Sequence, residues 1–218
     1  EWTWTIDKLK ADGFTLEEIV QAGLARESEG KRPIDVFRNR ITFEIADPSG
    51  KVIGFGARAL NKQDKAKYIN SPETALYSKS RVLYRLKQAR ELLARTKASG
   101  LVVGEGYMDV IAFERAGIAA VAPCGTALTE EQLQLLWRAG GDPVLCFDGD
   151  EAGLRAADKA LDLALPHFAP GRTVRIAHAP EGQDPDDIYR SAGAAALEAL
   201  TAAATPASDA LFEREKRR

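Results

Sequence analysis

The chain has 218 residues, of which 45% are hydrophobic and 28% are charged, and its formal net charge is −2. These values are ordinary for a globular protein and allow one large domain or two small ones. The sequence has no apolar run long enough to cross a bilayer and no basic-then-apolar start, so we expect neither a membrane protein nor a secretory signal.

The two cysteines, Cys124 and Cys146, lie in or beside predicted strands. Buried free thiols in a reducing cytoplasm are therefore favoured over a disulfide bond, and we expect a cytoplasmic protein. Two cysteines and two isolated histidines cannot supply the ligands of a zinc ribbon, so we expect no zinc in this chain.

The charged residues are divided unevenly along the chain. Residues 31–100 contain 16 lysines and arginines against 6 acidic residues, whereas residues 101–200 contain 7 against 16. This division favours a polyanion bound by the basic half and cations gathered by the acidic half. Solvated faces that differ in charge by chance are the simpler alternative.

The first half of the chain predicts a small α+β arrangement. A capping box at 15–18 opens a short helix. Alternating segments at 41–45 and 51–55 flank an Asp-Pro-Ser-Gly turn, which predicts a β-hairpin. The polar segment 61–79 mixes lysines with tyrosine and asparagine, a composition that suits a nucleic-acid backbone. Helical spacing of apolar residues then predicts a helix over 81–96.

From Leu101 onwards, short apolar runs alternate with amphipathic segments. The strands are predicted at 101–103, 118–121, 144–147 and 173–176, and the helices at 107–116, from 129, at 151–165 and near the end of the chain. Alternating strands and helices predict a parallel sheet with helices on both faces. The alanine-rich segment beyond residue 191 predicts a helical tail.

Acidic residues follow three of these predicted strands. Glu105 lies between two glycines after the first strand, and Asp109 follows one helical turn later. Asp148-Gly-Asp150 comes directly after the third strand, and Asp184-Pro-Asp186 follows the fourth. Because open α/β sheets bind their ligands at the carboxyl ends of the strands, we expect these carboxylates at one sheet edge.

Several like charges at one edge repel one another unless a cation lies between them. Mg²⁺ and Mn²⁺ take oxygen ligands, commonly one or two carboxylates completed by water and substrate phosphates. An isolated Asp-Gly-Asp is usually an ordinary turn. The combination of three acidic loops therefore carries the prediction of a divalent metal site, with Glu105 as the leading active-site acid.

Four motifs of the second half together resemble the Toprim core of bacterial DnaG-type primases: Glu105-Gly-Tyr-Met-Asp109, Gly125-Thr-Ala-Leu-Thr129, Phe147-Asp-Gly-Asp-Glu-Ala-Gly153 and Asp184-Pro-Asp-Asp187. Upstream, Phe37-Arg-Asn-Arg-Ile41, Gly54-Phe-Gly-Ala-Arg58 and Lys67-Tyr-Ile-Asn-Ser-Pro-Glu-Thr74 resemble the basic subdomain that precedes this core in the same family. Toprim motifs alone also occur in topoisomerases and nucleases, so the upstream motifs select primase.

The resemblance implies an α/β fold with a Toprim-type parallel sheet. It divides the chain into a basic α+β part at 1–96, a Toprim catalytic domain at 97–190 and a helical extension at 191–218. It implies that Glu105, Asp148 and Asp150 are the metal-dependent catalytic acids, supported in the metal set by Asp109, Asp184 and Asp186. It also implies nucleic-acid or nucleotide contacts by a basic group: Arg38, Arg40, Arg58, Lys67, Asn70 and Lys79.

The function implied is template-directed synthesis of short RNA primers from ribonucleoside triphosphates on single-stranded DNA, with Mg²⁺ or Mn²⁺. The family's zinc-binding module and helicase-interaction domain have no counterpart in this sequence, so we expect a replicative helicase as partner only through a domain absent here. Whether Glu105 ligates a metal or acts as a general base stays open. The alternatives are a Toprim nuclease, a nicking topoisomerase and a non-catalytic nucleic-acid-binding module.

Three residues depart from the family's usual pattern. Ser78 stands at a usual histidine and Ser80 at a usual glycine, which leaves the geometry around Lys79 open. Gly104 stands at a usual branched apolar residue, so the strand before Glu105 is expected to end early.

Overall fold

The computed structural model describes residues 2–28, 30–61, 63–96, 98, 100–125 and 127–217. The chain divides into two compact units, residues 1–79 and 80–218. Compactness therefore groups the segment 80–96 and the C-terminal helices with the second unit, whereas the sequence-based division separates them at residues 96 and 190. No helix among the described residues has the length and apolar character needed to cross a bilayer.

The first unit contains two helices and five strands, as its described residues show. They are α1 (Trp4–Ala11), α2 (Leu16–Gln21), β1 (Ala25–Ser28), β2 (Lys31–Asp35), β3 (Arg40–Ala46), β4 (Val52–Ala59) and β5 (Tyr68–Asn70). The capping box predicted for α2 is present: the Glu18 N–H donates to Thr15 Oγ1 at 3.2 Å, and the Thr15 N–H donates to Glu18 Oε2 at 2.8 Å.

The predicted β-hairpin is the centre of a three-stranded antiparallel sheet in this unit. Strand β4 pairs with β3 on one side and with β5 on the other. The turn between β3 and β4 is closed by Asp47, whose Oδ1 accepts the Ser49 N–H at 2.8 Å and the Lys51 N–H at 3.0 Å. The pairing of β4 with β5 brings Arg58 opposite Tyr68.

The described part of the second unit contains the remaining elements. They are β6 (Leu83–Tyr84), α3 (Leu86–Thr96), β7 (Val102–Val103), α4 (Tyr107–Arg115), β8 (Ala120–Pro123), α5 (Glu130–Ala139), β9 (Val144–Phe147), α6 (Glu151–Ala164), a 3-10 turn (Leu165–His167), β10 (Arg175–His178), α7 (Pro185–Ala192), α8 (Ala194–Ala202), β11 (Thr205–Pro206) and α9 (Ala207–Arg217). Thr126, within the motif at 125–129, lies outside the described residues.

These strands form one six-stranded sheet in the order β11-β10-β9-β7-β8-β6. The four central strands are parallel, and the two short edge strands are antiparallel to their neighbours. The predicted α/β fold with a parallel sheet is therefore confirmed. The predicted helical tail is present too, but it also contributes the edge strand β11.

Helices cover both faces of the sheet, as predicted. One face packs on α3, α5, α6 and α9 through a large core that includes Leu101, Val103, Leu145 and Phe147. On the other face, α4 contacts β8, α8 contacts β10, and α7 packs against α4 and α8. Because a central strand covered on both faces must be apolar throughout, all four residues of β9 are buried.

The largest difference from the sequence-based prediction concerns residues 81–96. This segment was predicted as one helix, but Leu83 and Tyr84 pair with Pro123 and Ala122 of β8 before the helix begins. Arg85, at the junction, has φ 63°, in the left-handed region, and this conformation ends the strand. Helical periodicity cannot reveal such a pairing, because its partner lies about 40 residues away in the sequence.

Candidate functional site: an acidic sheet edge and a basic unit

The parallel strands bring Glu105 and Asp148 together. Strands β7 and β9 are neighbours in register, Val103 lying opposite Leu145, so the loops that follow them leave the sheet at the same edge. The backbone N–H of Asp148 donates to Oε1 of Glu105 at 2.8 Å. The carboxylate of Glu105 is thereby fixed at the start of the Asp-Gly-Asp turn, as its position after a buried strand predicts.

The turn at Asp148-Gly-Asp150 is attached to the loop that follows β10. The Gly149 N–H donates to the Gln183 carbonyl at 3.0 Å, and the Gly182 N–H donates to the Gly149 carbonyl at 2.9 Å. A Cβ atom on Gly149 would lie 1.9 Å from the carbonyl oxygen of Pro180, a distance that no side chain can occupy. Glycine at 149 therefore allows the two acidic loops to lie side by side.

Asp150 caps helix α6. Its Oδ1 accepts the Gly153 N–H at 2.7 Å, which satisfies one of the free donors of the first helical turn. A Cβ atom on Gly153 would lie 2.2 Å from the carbonyl oxygen of Asp148, so glycine is also needed there. The spacing Asp-Gly-Asp-x-x-Gly thus folds the backbone of Asp148 tightly against the start of α6.

Asp109 is the buried member of the acidic group, with 6% of its surface exposed. Its Oδ2 accepts the Gly106 N–H at 2.8 Å and so caps α4. Burial raises the pKa of Asp109 to about 7; the Gly106 N–H opposes the rise, and the charges of Asp148, Asp184 and Glu105 add to it. These charges act on Asp109 because all four carboxylates lie at the same sheet edge.

Gly104 has a structural explanation at this site. A Cβ atom there would lie 2.8 Å from Cβ of Asp109, so a branched residue would displace the buried carboxyl group from its present position. Strand β7 ends at Val103, before this glycine.

Asp184 and Asp186 have different surroundings. Asp184 caps α7, its Oδ1 accepting the Asp187 N–H at 2.8 Å. Asp186 forms an ion pair with Arg190 at 2.9 Å, one turn further along the same helix. Asp184 thus belongs to the acidic edge, since the preceding residue, Gln183, is hydrogen-bonded to Gly149 and the charge of Asp184 adds to the rise in the pKa of Asp109. The contact that places Asp186 is with Arg190.

The acidic edge offers carboxylate oxygens and no thiolate among its described residues. Such oxygen ligands are the ones that a hard divalent cation prefers. Cys146, in strand β9, is buried; burial, and then the charges of Asp109, Asp148 and Glu105, raise its pKa and keep it protonated. Among the described residues, no three or more histidine, cysteine, aspartate or glutamate side chains come together as a ready metal cage. The donor set fits an ion held by one or two carboxylates, with water and phosphate as its other ligands.

The predicted basic residues lie in the first unit, and two of them flank one aromatic ring. Cζ of Arg58 lies 5.8 Å from the ring centroid of Tyr68, and Nζ of the exposed Lys67 lies 5.7 Å from it. Asn70 follows on the same strand, opposite Gly56. The structure therefore groups Arg58, Lys67 and Asn70 around β5, where two cationic side chains and an amide lie near the Tyr68 ring or on its strand.

Arg40 and Arg38 are engaged more deeply with their own unit. Arg40 donates to the Ala66 carbonyl at 2.9 Å and the Lys67 carbonyl at 3.4 Å, and it pairs with Asp64 at 3.9 Å. These contacts tie the loop before β5 to β3. Arg38 donates to the Asp35 carbonyl, and its Cζ lies 4.8 Å from the Trp2 ring centroid.

A groove of about 830 Å³ in the first unit includes some of these residues. It is lined by Trp2, Arg26, Arg38, Arg40, Lys65 and Asn70, among others. Sequence reasoning missed Trp2 and Arg26 as members of the basic group. The two tryptophans near the start of the sequence, Trp2 and Trp4, were the signal that could have indicated this surface, and both are exposed in the structure.

Lys79 is placed by a residue to which the sequence assigned no role. Its backbone N–H donates to Oε1 of Glu73 at 3.0 Å. This hydrogen bond lowers the pKa of Glu73, and Ser78 and the charge of Lys79 lower it further. Glu73, within the motif at 67–74, thus fixes the backbone of Lys79.

Comparisons with known proteins agree with this arrangement. Residues 1–90 match the family profile described as DNA primase catalytic core, N-terminal domain, and residues 102–189 match the Toprim-like profile. The chain is 41% identical over 212 residues to the DNA primase of Escherichia coli K12, covering 97% of this chain and 36% of that protein. It is 42% identical over 216 residues to the DNA primase of Pseudomonas aeruginosa, covering 97% of this chain and 32% of that protein. The chain thus spans about a third of the length of these relatives.

Solved primase structures have the same fold. The E. coli primase catalytic core is 40% identical, with a TM-score of 0.88, and the match covers 98% of this chain and 68% of that one. A DNA primase domain from Pseudomonas aeruginosa is 39% identical, with a TM-score of 0.91, and the match covers 98% of this chain and 67% of that one. A DnaG primase catalytic domain solved bound to single-stranded DNA is 39% identical, with a TM-score of 0.88, and the match covers 98% of this chain and 66% of that one. With both halves matched and the acidic edge in place, the chain belongs to the family of DnaG primase catalytic cores, as its motifs predict.

Proposed function

We propose that this chain is the catalytic part of a primase, which synthesises short RNA primers from ribonucleoside triphosphates on a single-stranded DNA template. The observation that carries the proposal is the 2.8 Å contact between Glu105 and the Asp148 backbone at the acidic edge, in a chain that belongs to the primase core family. A relative solved with single-stranded DNA supports the choice of template.

In this proposal Glu105, Asp148 and Asp150 are the catalytic acids. Mg²⁺ or Mn²⁺ would be held by Asp148 and Asp150, with Glu105 as a third ligand or as general base. When bound, the metal supplies activation of the primer 3′-hydroxyl and neutralises charge on the leaving pyrophosphate. Asp109 and Asp184 would contribute negative charge to the edge. Asp186 would contribute least to binding the metal, because Arg190 already neutralises its charge.

The chain's own contribution to the reaction is to hold these oxygens in place. Glu105 is oriented by the Asp148 N–H, Asp150 by the Gly153 N–H and Asp184 by the Asp187 N–H. Each carboxylate therefore keeps a fixed direction before a nucleotide arrives, which reduces the reorganisation needed at the transition state.

The basic group would bind phosphates of the template or the incoming nucleotide. Arg58 and Lys67 present their charges beside the Tyr68 ring, an arrangement that suits a backbone phosphate with a stacked base. Asn70 and Lys79 extend this group. Arg38 and Arg40 would add positive potential, since their donors already bind carbonyl oxygens of the unit.

The test measures incorporation of a labelled ribonucleotide on single-stranded DNA, with Mg²⁺, with Mn²⁺ and with a chelator. We expect metal-dependent extension by the wild-type chain and none by Glu105→Gln. Glu198→Gln is the matched control, because Glu198 is exposed on α8 and away from the acidic loops in sequence. Release of labelled nucleotides from a strand would instead indicate the nuclease, and binding with neither reaction would indicate a non-catalytic module.

A further inference from the structure

Arg85 has a backbone conformation that its side chain disfavours. Its φ of 63° lies in the left-handed region, where a Cβ atom crowds the backbone and glycine is at ease. Asn39 is the other non-glycine residue with positive φ among those described, and asparagine tolerates this region better than arginine does. An arginine at such a position points to a use for its side chain.

The guanidinium group of Arg85 binds the far end of helix α4. Its Nη2 lies 3.1 Å from Oε2 of Glu114, the second-last residue of that helix. Both side chains are partly exposed, at 35% and 40%, so the attraction is partly screened by solvent. This contact anchors one end of α4 to the junction between β6 and α3.

The neighbouring residue contacts the other end of the same helix. The rings of Tyr84 and Tyr107 meet edge to face, with centroids 4.7 Å apart, and both residues are buried. Arg85 lies beside the first of these rings, its Cζ 5.8 Å from the Tyr84 ring centroid. Burial raises the pKa of the Tyr84 phenol, and the charge of Arg85 is the main influence against that rise.

Tyr107 opens α4 and follows Glu105 by two residues. The first turn of α4 also carries Asp109, whose carboxylate accepts the Gly106 N–H. Arg85 and Tyr84 therefore contact α4 at both ends, and the N-terminal end is the turn that presents Glu105.

We propose that Arg85 is a positioning residue for the acidic edge: through Glu114 and Tyr84 it sets the position of α4 and thereby of Glu105 and Asp109. The inference rests on the proposed role of these acids in the reaction. It accounts for the left-handed arginine, because a glycine would relax the backbone but would lose both contacts. It also gives the segment 83–85 a role in the site that neither its composition nor any motif indicates.

The test is amide hydrogen exchange, followed by peptide, in the chain without metal or nucleotide. Arg85→Gln keeps a Cβ atom and a polar side chain but removes the charge and the reach of the guanidinium group, and Glu114→Gln removes the charged partner without touching residue 85. Arg155→Gln is the matched control, since it breaks the Arg155–Glu151 pair at 3.3 Å on α6. We expect exchange in the segment 105–110 to rise about fivefold in the first two variants, the size that a partly exposed ion pair supports, and to stay unchanged in the control.

Two further variants distinguish positioning from general stabilisation. Arg85→Gly should melt at the same temperature as wild type or higher, because strain is removed, yet still exchange faster at 105–110. Arg85→Gln combined with Glu114→Gln should exchange no faster than Arg85→Gln alone, since Glu114 acts only through its ion pair with Arg85. Unchanged exchange at 105–110 in Arg85→Gln, or a uniform rise across the second unit with a lower melting temperature, overturns the proposal. Because exchange needs no turnover, an inactive chain would refute the proposed function and leave this test intact.

Discussion

Asp109 should make the second unit less stable as the pH rises. The folded state binds its proton more tightly than the unfolded chain does, because the pKa rises from 3.8 to about 7 on folding. Between these values the unfolded chain has lost the proton while the folded protein retains it. The free energy of unfolding therefore falls as the pH increases through this window, and levels off once the folded carboxyl group has ionised.

The size of the effect follows from the same values. Each pH unit well inside the window removes about 1.4 kcal/mol, and the slope falls by about half as the pH reaches the folded pKa, so the loss between pH 5 and pH 7 is about 2 kcal/mol. Asp109→Asn removes the titration but keeps an amide oxygen that can accept the Gly106 N–H. The free energy of unfolding of the variant, relative to that of the wild type, should therefore rise by about 2 kcal/mol between pH 5 and pH 7.

Urea unfolding in a chelating buffer at pH 5, 6, 7 and 8 measures the difference. Tryptophan fluorescence reports mainly on the second unit, because Trp137 is buried while Trp2 and Trp4 are already exposed. Other groups that titrate in this range affect both proteins alike and cancel in the comparison. Parallel stability curves for wild type and Asp109→Asn would refute the reasoning, since they would mean that Asp109 is ionised throughout.

Three further outcomes test the site and the basic unit. Gly153→Ala should abolish nucleotide incorporation, because the new Cβ would lie 2.2 Å from the Asp148 carbonyl oxygen and must displace that loop; an active variant would contradict the packing. Lys67→Ala and Arg58→Ala should weaken binding of single-stranded DNA and reduce the slope of log affinity against log salt by about 0.7 per lost contact, and an unchanged salt series would remove them from the interface. Asp148→Asn should lose nucleotide incorporation and most of the rise in melting temperature that Mg²⁺ gives the wild type, with stability in metal-free buffer unchanged or raised; a full response to Mg²⁺ would exclude Asp148 as a ligand.

The sequence predicts local features of this fold well. The capping box at Thr15 starts α2 as expected, and the helix expected from residue 129 starts as α5 on a capping box at Thr129, because cap and helix lie within four residues of each other. Strand β9 is found at the predicted residues, since an apolar run of four residues directly before Asp-Gly-Asp is too short for a helix and favours a buried strand. The strands β8 and β10 are each displaced by two residues from their predicted positions, because their ends are set by pairing with neighbours.

The features that the sequence did not predict depend on contacts between distant residues. The strand β11 lies in an alanine-rich segment that favours helix, and it forms because Thr205 and Pro206 pair with Ile176 and Arg175. Trp2 joins the basic groove through Arg38, 36 positions later in the chain. The tryptophans near the start of the sequence could have indicated an aromatic surface, but spacing and composition do not identify the distant partner in either contact.

The acidic edge shows where local and distant information meet. Motif spacing predicts which carboxylates follow which strands, and the parallel sheet then places them at one edge. The sequence does not tell which of them act as helix caps: Asp150, Asp109 and Asp184 each accept a backbone N–H from the first turn of a helix or the residue before it. A cap orients its carboxylate along the helix start, so the same hydrogen bonds that begin α4, α6 and α7 also direct the oxygens of the site. Substituting a cap therefore alters helix stability and site geometry together, whereas Glu105 accepts the N–H of Asp148 from a neighbouring loop, so that a variant of Glu105 tests site geometry without removing the cap of α4, α6 or α7.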